Sequence, residues 1–459
     1  MSRSSAVGIL STFLRRHLPA GSYGGRSAFE ALARIDRDLE SGRPAVAILD
    51  ECKEELGAII RRRFEPLAAD ALTLKILNLF QARQHLRARS HSVRSRPIGL
   101  IVDPSNMCQL ACPGCVHSNR NELLQIFDWP NGTLAEERFS ALMRLYGPYA
   151  IGVYFCNYGE PLLNLQTPRF IRRAKAYLAA TALSTSLSVQ RFDAEEYVRS
   201  GLDVMIFSID GATQPVYERF RRNGDLALVL SNIEKLVDAK RRLKKRTPVL
   251  SWNFLAFQHN VHEIPTAVRL ARRLGVNHFR VVNPFDVTWD DPEIRPAKVA
   301  GSVRRLNFSD AGGEAENWNP FPEELDEAAI RRAFGSPRSH EADDGGLRAP
   351  GHTCHWLYKN MVMDATGRIL PCCGGPRTDN NLVFGKFDGS RDVFNSEMYR
   401  RARTGFSANA VPSADAPYCS RCEWDQTTVN IGGAEIRRYF RAADAAFFDR
   451  RSLKLLADW

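Results

Sequence analysis

The sequence lacks any long hydrophobic run. Nowhere in its 459 residues do about 18 consecutive apolar residues occur, which is the length that a membrane-spanning helix needs. The apolar stretch within MSRSSAVGILSTFLRRHLPAG is broken by Ser and Thr, is closed by Arg-Arg-His and has no convincing cleavage site. We therefore expect no membrane span, no secretion signal and a cytoplasmic location.

Acidic residues are fewer than basic ones, and the formal net charge is +11. Five arginines and no acid occur in RQHLRARSHSVRSR, residues 83–96. These arginines are not interleaved with aromatic residues and match no nucleic-acid-binding module, so we interpret the run as a solvated linker and expect no nucleic-acid partner. An acidic or phosphorylated substrate explains the positive charge equally well.

Cysteine is present at 10 positions. In the reducing cytoplasm that we expect for this protein, clustered thiols more often bind metal than form disulfides. Two residues, Cys52 and Cys156, stand alone, and we interpret them as buried small hydrophobic residues. The other eight fall into two groups, Cys108, Cys112 and Cys115 near the start of a β-rich region, and Cys354, Cys372, Cys373, Cys419 and Cys422 near the C-terminus.

Changes in periodicity divide the chain into five parts. Residues 1–97 predict a helical N-terminal region. Residues 98–285 alternate short β-rich runs with helical ones, which predicts parallel strands with crossover helices. Residues 286–350 lose this periodicity and predict a linker or lid. Residues 351–430 predict a cysteine-rich domain with a hairpin in NMVMDATGRILPCCGG. Residues 431–459 predict a helical tail.

Six strand candidates lie within residues 98–285: PIGLIVDPS, YAIGVYFCNYG, LSTSLSVQ, VMIFSIDG, VLSWNFLAF and HFRVVNPF. Thr133–Glu136 and Ser231–Glu234 fit capping boxes and predict helix starts, and Gly275 predicts a helix end. Six β/α units in about 190 residues suggest a partial (β/α)6 barrel of the TIM type rather than a closed eight-stranded one. The predicted fold class is α/β, with an N-terminal helical region and a small C-terminal α+β domain.

The first cysteine group has C-x3-C-x2-C spacing, and no fourth cysteine is near. It follows the first predicted strand directly, and active sites of such barrels lie at the carboxyl ends of the strands, so the position favours chemistry over a structural role. A closed zinc site needs a fourth protein ligand, which His117 or a distant histidine could supply. A [4Fe–4S] cluster with one open iron explains three cysteines without a histidine.

The region around residues 98–285 resembles the radical S-adenosylmethionine (SAM) enzymes, whose defining mark is this cysteine motif after the first strand. The resemblance implies that the open iron binds the amino and carboxylate groups of SAM. One departure is Gly114, at a position that is usually aromatic in the family.

Two further segments carry the resemblance. NYGEPLL resembles the family's Gly-Gly-Glu motif after the second strand, which implies that Tyr158, Gly159 and Glu160 contact the SAM amino group; Tyr158 replaces the first glycine. FSIDGATQPVYERFRRNGD resembles the segment of the fourth strand. It implies that Ser208 meets the polar end of SAM and that Arg221 pairs with its carboxylate, a task suited to a guanidinium group.

The second cysteine group resembles the SPASM/Twitch extension of the same enzymes. The resemblance implies that Cys354, Cys372, Cys419 and Cys422 hold one fully ligated auxiliary [4Fe–4S] cluster, and Cys373 is then a spare. Zinc is the competing interpretation, because Cys-x2-Cys arms also occur in zinc ribbons. Only the pair at positions 419 and 422 has that spacing.

The resemblance implies an enzyme that cleaves SAM reductively and uses the 5′-deoxyadenosyl radical to abstract hydrogen from a C–H bond. An auxiliary cluster without an open iron implies an electron acceptor, hence a radical SAM oxidoreductase that oxidises a small sugar- or aminocyclitol-like molecule, with a flavodoxin or ferredoxin-type electron donor. A peptide-modifying maturase is the alternative, and a non-enzymatic iron–sulfur or zinc binding protein is an alternative of another class. The sequence assigns no catalytic acid or base.

Overall fold

The computed structural model describes residues 74–75, 78, 81–82, 85–86, 88–115, 117–118, 132–282, 284, 291–297, 354–373, 382–405, 417 and 419, and the backbone of 304–307. Most of the predicted N-terminal helical region, most of residues 286–350, Cys52, Cys422 and the predicted tail 431–459 lie outside these residues. In the part of the chain that the structure describes, no helix combines the length and hydrophobicity that crossing a bilayer requires.

Six parallel strands form the centre of the molecule, each paired with the next one in the chain. They are β1 (Gly99–Val102), β2 (Gly152–Phe155), β3 (Ala180–Thr185), β4 (Val204–Ser208), β5 (Val249–Leu255) and β6 (His278–Val282). Each lies within or overlaps a strand candidate from the sequence, although β3 begins earlier than its candidate. The sheet does not close between its first and last described strands, which confirms the predicted partial barrel.

Helices connect these strands and pack on the outer face of the sheet. They are α1 (Glu136–Tyr146), α2 (Thr167–Ala176), α3 (Ala194–Arg199), α4 (Gln214–Phe220), α5 (Leu226–Arg242) and α6 (Ile264–Arg273), with short 3-10 helices at Pro161–Leu163 and Val261–Glu263. The rings of Phe139, Phe155 and Phe170 join α1, β2 and α2, with centroid separations of 4.9 and 5.8 Å. Each such buried ring contributes about 1.5–3 kcal/mol of hydrophobic stabilisation.

The predicted helix boundaries have mixed outcomes. The capping box at Ser231–Glu234 is wrong, because α5 begins five residues earlier and is capped by Asp225, whose carboxylate accepts from the Leu228 amide. Helix α1 begins at Glu136 without a side-chain cap, so Thr133 does not cap it either. The predicted end at Gly275 is confirmed, since α6 ends at Arg273 and Gly275 has a φ of 78°.

The C-terminal residues extend the same sheet. This region contains α7 (Trp356–Lys359), β8 (Asn360–Met363), β9 (Arg368–Leu370), β10 (Gly385–Lys386) and α8 (Glu397–Gly405). Strand β8 pairs in parallel with β1, and β9 pairs antiparallel with β8, which confirms the predicted hairpin. At the other edge, β7 (Arg304–Asn307), within the predicted linker, pairs antiparallel with β6.

Candidate functional site

The first cysteine group lies on the loop that follows β1, above the carboxyl ends of the parallel strands. The backbone amide of Ala111, in the middle of this loop, donates to the carbonyl of Arg222 after α4 at 3.1 Å, and the Cys115 amide donates to the Cys112 carbonyl at 3.1 Å. The three thiols adjoin one apolar cluster formed by Leu110, Phe220, Leu255, Phe257 and Ile294. The fold therefore places the three thiols beside one apolar cluster, with Cys112 buried and Cys108 and Cys115 partly buried.

The donor set fits a cluster. Burial raises the pKa of the Cys112 thiol to about 11, with Arg221 acting in the opposite direction, and burial raises the pKa of Cys108 still further. Buried thiols with raised pKa values need a cation to become thiolates, and iron supplies one. Among the described residues no three His, Cys, Asp or Glu side chains converge on a point for one metal ion. In a [4Fe–4S] cluster each thiolate binds a different iron, so such convergence is not required.

Gly114 has a φ of 70°, in the left-handed region that a glycine occupies without steric cost. An aromatic side chain at this position would be strained in this backbone conformation. Gly114 therefore suits the turn that directly precedes Cys115.

His117 forms a bond between loops. Its Nε2 lies 3.0 Å from the carbonyl oxygen of Tyr158, and because a carbonyl only accepts, this nitrogen carries the proton. The bond fastens the end of the cysteine loop to the loop after β2. A metal bond through Nε2, one form of the zinc alternative, would require this contact to break.

The loop after β2 packs tightly against the loop after β1. A Cβ atom on Gly159 would lie 1.8 Å from the Ser105 carbonyl oxygen, so only glycine fits at this position. The Glu160 amide donates to the Met107 carbonyl at 2.8 Å, one residue before the first cysteine. The Gly-Glu pair thus determines the position of the cysteine loop.

Asp103, the first residue after β1, supports this arrangement from below. Its fully buried carboxylate accepts from the amides of Tyr158 at 3.0 and 3.2 Å and Gly159 at 3.4 Å. Burial raises the pKa of Asp103 to about 7, against the opposing effect of these hydrogen bonds. Sequence analysis missed Asp103, although a carboxylate directly after a buried strand is a signal that could have found it.

Glu160 is buried and its carboxylate is saturated. One oxygen accepts from Thr185 Oγ1 at 2.5 Å and the Leu162 amide at 3.1 Å, and the other accepts from the Ser186 hydroxyl at 2.7 Å and the Ser186 amide at 2.8 Å. A carboxylate offers about four lone-pair sites, and all are occupied. A contact with the SAM amino group stays a prediction, and it requires one of these bonds to be exchanged.

Arg221 pairs with Asp210, which follows β4. Arg221 Nε donates to an Asp210 carboxylate oxygen at 2.5 Å, and Arg221 Nη1 lies 3.8 Å from Cys112 Sγ. The other Asp210 oxygen accepts from the Leu255 amide at 2.6 Å. Burial opposes the charge on Arg221, but Asp210 and Cys112 raise its pKa, so the guanidinium remains charged. The sequence prediction did not include Asp210, whose signal is a carboxylate two residues beyond the end of β4 in FSIDG.

Ser208, the other predicted residue of this segment, ends β4 and is partly buried. It pairs in register with Asn253 of β5. The predicted contacts of Ser208 and Arg221 with SAM remain predictions.

The second cysteine group comes together around aromatic side chains. Cys354 and Cys419 are buried and Cys372 is partly buried, all in contact with the main core. Tyr399 lies within electrostatic range of Cys372 and Cys419, and Tyr358 within range of Cys354. The Arg403 guanidinium lies 5.2 Å from the Tyr399 ring and 5.5 Å from the Tyr358 ring. Cys354, Cys372 and Cys419, from separate segments, thus lie near the side chains of Tyr358, Tyr399 and Arg403, and their role as cluster ligands stays a prediction.

Cys373 differs from its neighbour Cys372. It is exposed, and it lies within electrostatic range of Cys156, which follows β2. The surroundings of Cys373 therefore differ from those of Cys372. That Cys373 is a spare cysteine stays a prediction.

Residues 354–423 match the model of the SPASM family, described as an iron–sulfur cluster-binding domain. The chain is 24% identical over 194 residues to the PqqA peptide cyclase of Granulibacter bethesdensis, covering 42% of this chain and 49% of that protein. It is 23% identical over 180 residues to a probable GTP 3′,8-cyclase of Methanocaldococcus jannaschii, covering 38% and 55%.

The chain therefore spans about half the length of the curated relatives that it matches. Among solved structures, Streptococcus suis SuiB bound to its precursor peptide SuiA is 14% identical, with 76% of each chain covered and a TM-score of 0.46. The family and sequence matches confirm the resemblance, and the family match confirms an iron–sulfur cofactor for residues 354–423.

Proposed function

We propose that this chain, a radical SAM protein with a SPASM-type domain, cleaves SAM reductively and uses the resulting radical to abstract hydrogen from a C–H bond of its substrate. The observation that carries the proposal is the three-thiol loop of Cys108, Cys112 and Cys115 at the carboxyl ends of the strands. The chemistry that a [4Fe–4S] cluster supplies there, when bound, is one-electron reduction of SAM to methionine and a 5′-deoxyadenosyl radical.

The chain's own residues position and protect that chemistry. Glu160 and Gly159 hold the start of the cysteine loop against the loop after β2. Arg221, kept charged by Asp210, places a positive charge beside Cys112 and favours its thiolate form. The apolar cluster beside the thiols reduces the access of water to this side of the site, which would help to protect a radical from quenching.

For the net reaction, we propose oxidation of a small molecule, with the SPASM-type domain accepting the second electron. Cys354, Cys372 and Cys419, together with Cys422, would hold a fully ligated cluster there, which leaves no iron open for substrate. A flavodoxin or ferredoxin-type protein in the cytoplasm would supply the first electron. Peptide modification is the second candidate, favoured by the similarity to a peptide cyclase.

The experiment that tests SAM cleavage replaces the three loop cysteines together with Ala. We expect the purified, anaerobically reconstituted variant to lose 5′-deoxyadenosine formation under dithionite and to keep the iron of the auxiliary site. Cys156→Ala, which removes a thiol at the same end of the sheet, is the matched control and should retain both. If the triple variant still forms 5′-deoxyadenosine, the proposal is wrong.

A second experiment separates oxidation from the alternatives. Candidate sugars, aminocyclitols and peptides are incubated with the enzyme, SAM and reductant, and products are examined by mass spectrometry. Oxidation yields a product lighter by two hydrogens, with deuterium passing from the substrate carbon into 5′-deoxyadenosine. A product isobaric with its substrate would refute the oxidative role. Zinc in place of iron after anaerobic purification would favour the non-enzymatic alternative.

A further inference from the structure

A row of polar side chains crosses the carboxyl-end half of the sheet. Ser208 of β4 pairs in register with Asn253 of β5, and Asn253 pairs in register with Arg280 of β6. Residues in register on neighbouring parallel strands point to the same face. The three side chains therefore form one continuous row.

The row lies on the inner face of the partial barrel. On β6, Phe279 and Val281 are buried in the main core, and the Phe279 ring packs 5.7 Å from the ring of Trp252. Arg280 lies between them in the strand and so points to the opposite face. Leu255, two residues beyond Asn253 on the same strand face, packs against the cysteine loop. Arg280 thus shares a face with the candidate SAM site.

The charge of Arg280 has no acidic partner among the residues that the structure describes. Arg221, at the same end of the sheet, is neutralised by Asp210. No ion pair or hydrogen bond within the described part of the chain involves the Arg280 guanidinium. Arg280 is partly buried in its strand. The guanidinium keeps contact with solvent and has no counter-charge among the described residues, so it is available to pair with an anionic group of a ligand.

Asn253 adds an independent signal. Its Oδ1 is buried and has no hydrogen-bond partner within the described residues, whereas buried amide oxygens are normally paired. A ligand that offers a hydroxyl or protonated group beside its anionic group would satisfy Asn253 and Arg280 together.

We propose that Arg280, with Asn253 beside it, binds a carboxylate or phosphate group of the substrate, so that the enzyme acts on an anionic molecule. Arginine suits this role because its planar fork binds both oxyanions in a bidentate manner. The proposal rests on the proposed function, since it assigns the inner face of the barrel to the substrate. It also fits the net charge of +11.

The experiment measures anion binding with SAM already bound. The full chain is reconstituted anaerobically, saturated with SAM without reductant, and titrated calorimetrically with inorganic phosphate and with acetate. We expect Arg280→Gln to weaken binding of at least one anion tenfold or more, and Arg280→Lys to weaken it less, because lysine keeps the charge but not the fork. Asn253→Asp, which places a carboxylate beside the guanidinium, should weaken it comparably. Arg273→Gln, at an exposed position of α6, is the matched control.

Three outcomes would overturn the proposal. One is equal anion affinity in the wild type and Arg280→Gln, and another is no anion binding by the SAM-loaded wild type. The third is anion binding only without SAM, with reduced SAM affinity in Arg280→Gln, because the anion bound by Arg280 would then be the carboxylate of SAM. Iron content and thermal unfolding midpoints show which variants fold. If Arg280→Gln does not fold, Asn253→Asp tests the site instead. Failure of the wild type to cleave SAM would refute the proposed function alone.

Discussion

Replacing Gly159 with alanine tests how the Gly-Glu segment positions the cysteine loop. The new Cβ would lie 1.8 Å from the Ser105 carbonyl oxygen and 2.8 Å from Asn106 Cα, and both are backbone atoms that cannot rotate away. Non-bonded heavy atoms settle near about 3.5 Å, so the two loops must separate by more than about 1 Å. That displacement is transmitted to the segment immediately before Cys108.

The magnitude follows from the contacts that the displacement breaks. The bond from the Glu160 amide to the Met107 carbonyl, 2.8 Å long, would be lost, and an unmade buried hydrogen bond costs about 1–3 kcal/mol. Overpacking adds about 1–3 kcal/mol. We therefore expect Gly159→Ala to lower the free energy of unfolding by about 2–6 kcal/mol and to impair iron loading at the first cysteine group.

The assay compares thermal unfolding midpoints and iron content after anaerobic reconstitution. Gly132→Ala is the matched control in the same loop region, because its Cβ would lie 3.7 Å from Thr366 Cγ2, an ordinary contact. We expect it to behave like the wild type. A Gly159→Ala protein with wild-type stability and iron content would refute the inferred packing of the two loops.

Three further predictions concern buried charges and the second cysteine group. Asp210→Asn should lower the free energy of unfolding by about 3–5 kcal/mol, because it leaves the buried Arg221 charge without a partner. The double variant Asp210→Asn, Arg221→Met should recover part of this loss, as measured by urea unfolding. Burial lowers the pKa of Lys75 to about 7, so between pH 7 and about 10 the unfolded chain binds a proton that the folded chain lacks. The free energy of unfolding of the wild type should therefore rise with pH over this window. Thermal scans of Lys75→Met should not show that rise. Cys373→Ala should keep its iron, whereas Cys419→Ala should lose about half; equal losses would contradict the four-ligand assignment.

The fold was largely predictable because short apolar runs and glycine turns are local signals. The alternation of strands and helices predicted the partial barrel, and a hairpin turn predicted β8 and β9. The pairing of β8 with β1 was not predictable, since it joins segments some 260 residues apart and leaves no periodic trace in either. The capping box at Ser231–Glu234 failed because a complete local motif also fits the interior of a longer helix.

The sequence by itself determined which atoms are available to bind metal. The C-x3-C-x2-C spacing brings Cys108, Cys112 and Cys115 onto one loop because so short a connection cannot separate them. Only the tertiary structure decided which groups hold that loop. The bonds of Asp103 to the Tyr158 and Gly159 amides join residues 55 and 56 positions apart, and Asp210 reaches the Leu255 amide 45 positions away. Such bonds depend on strand register, which sets which side chains face one another and which no local pattern encodes.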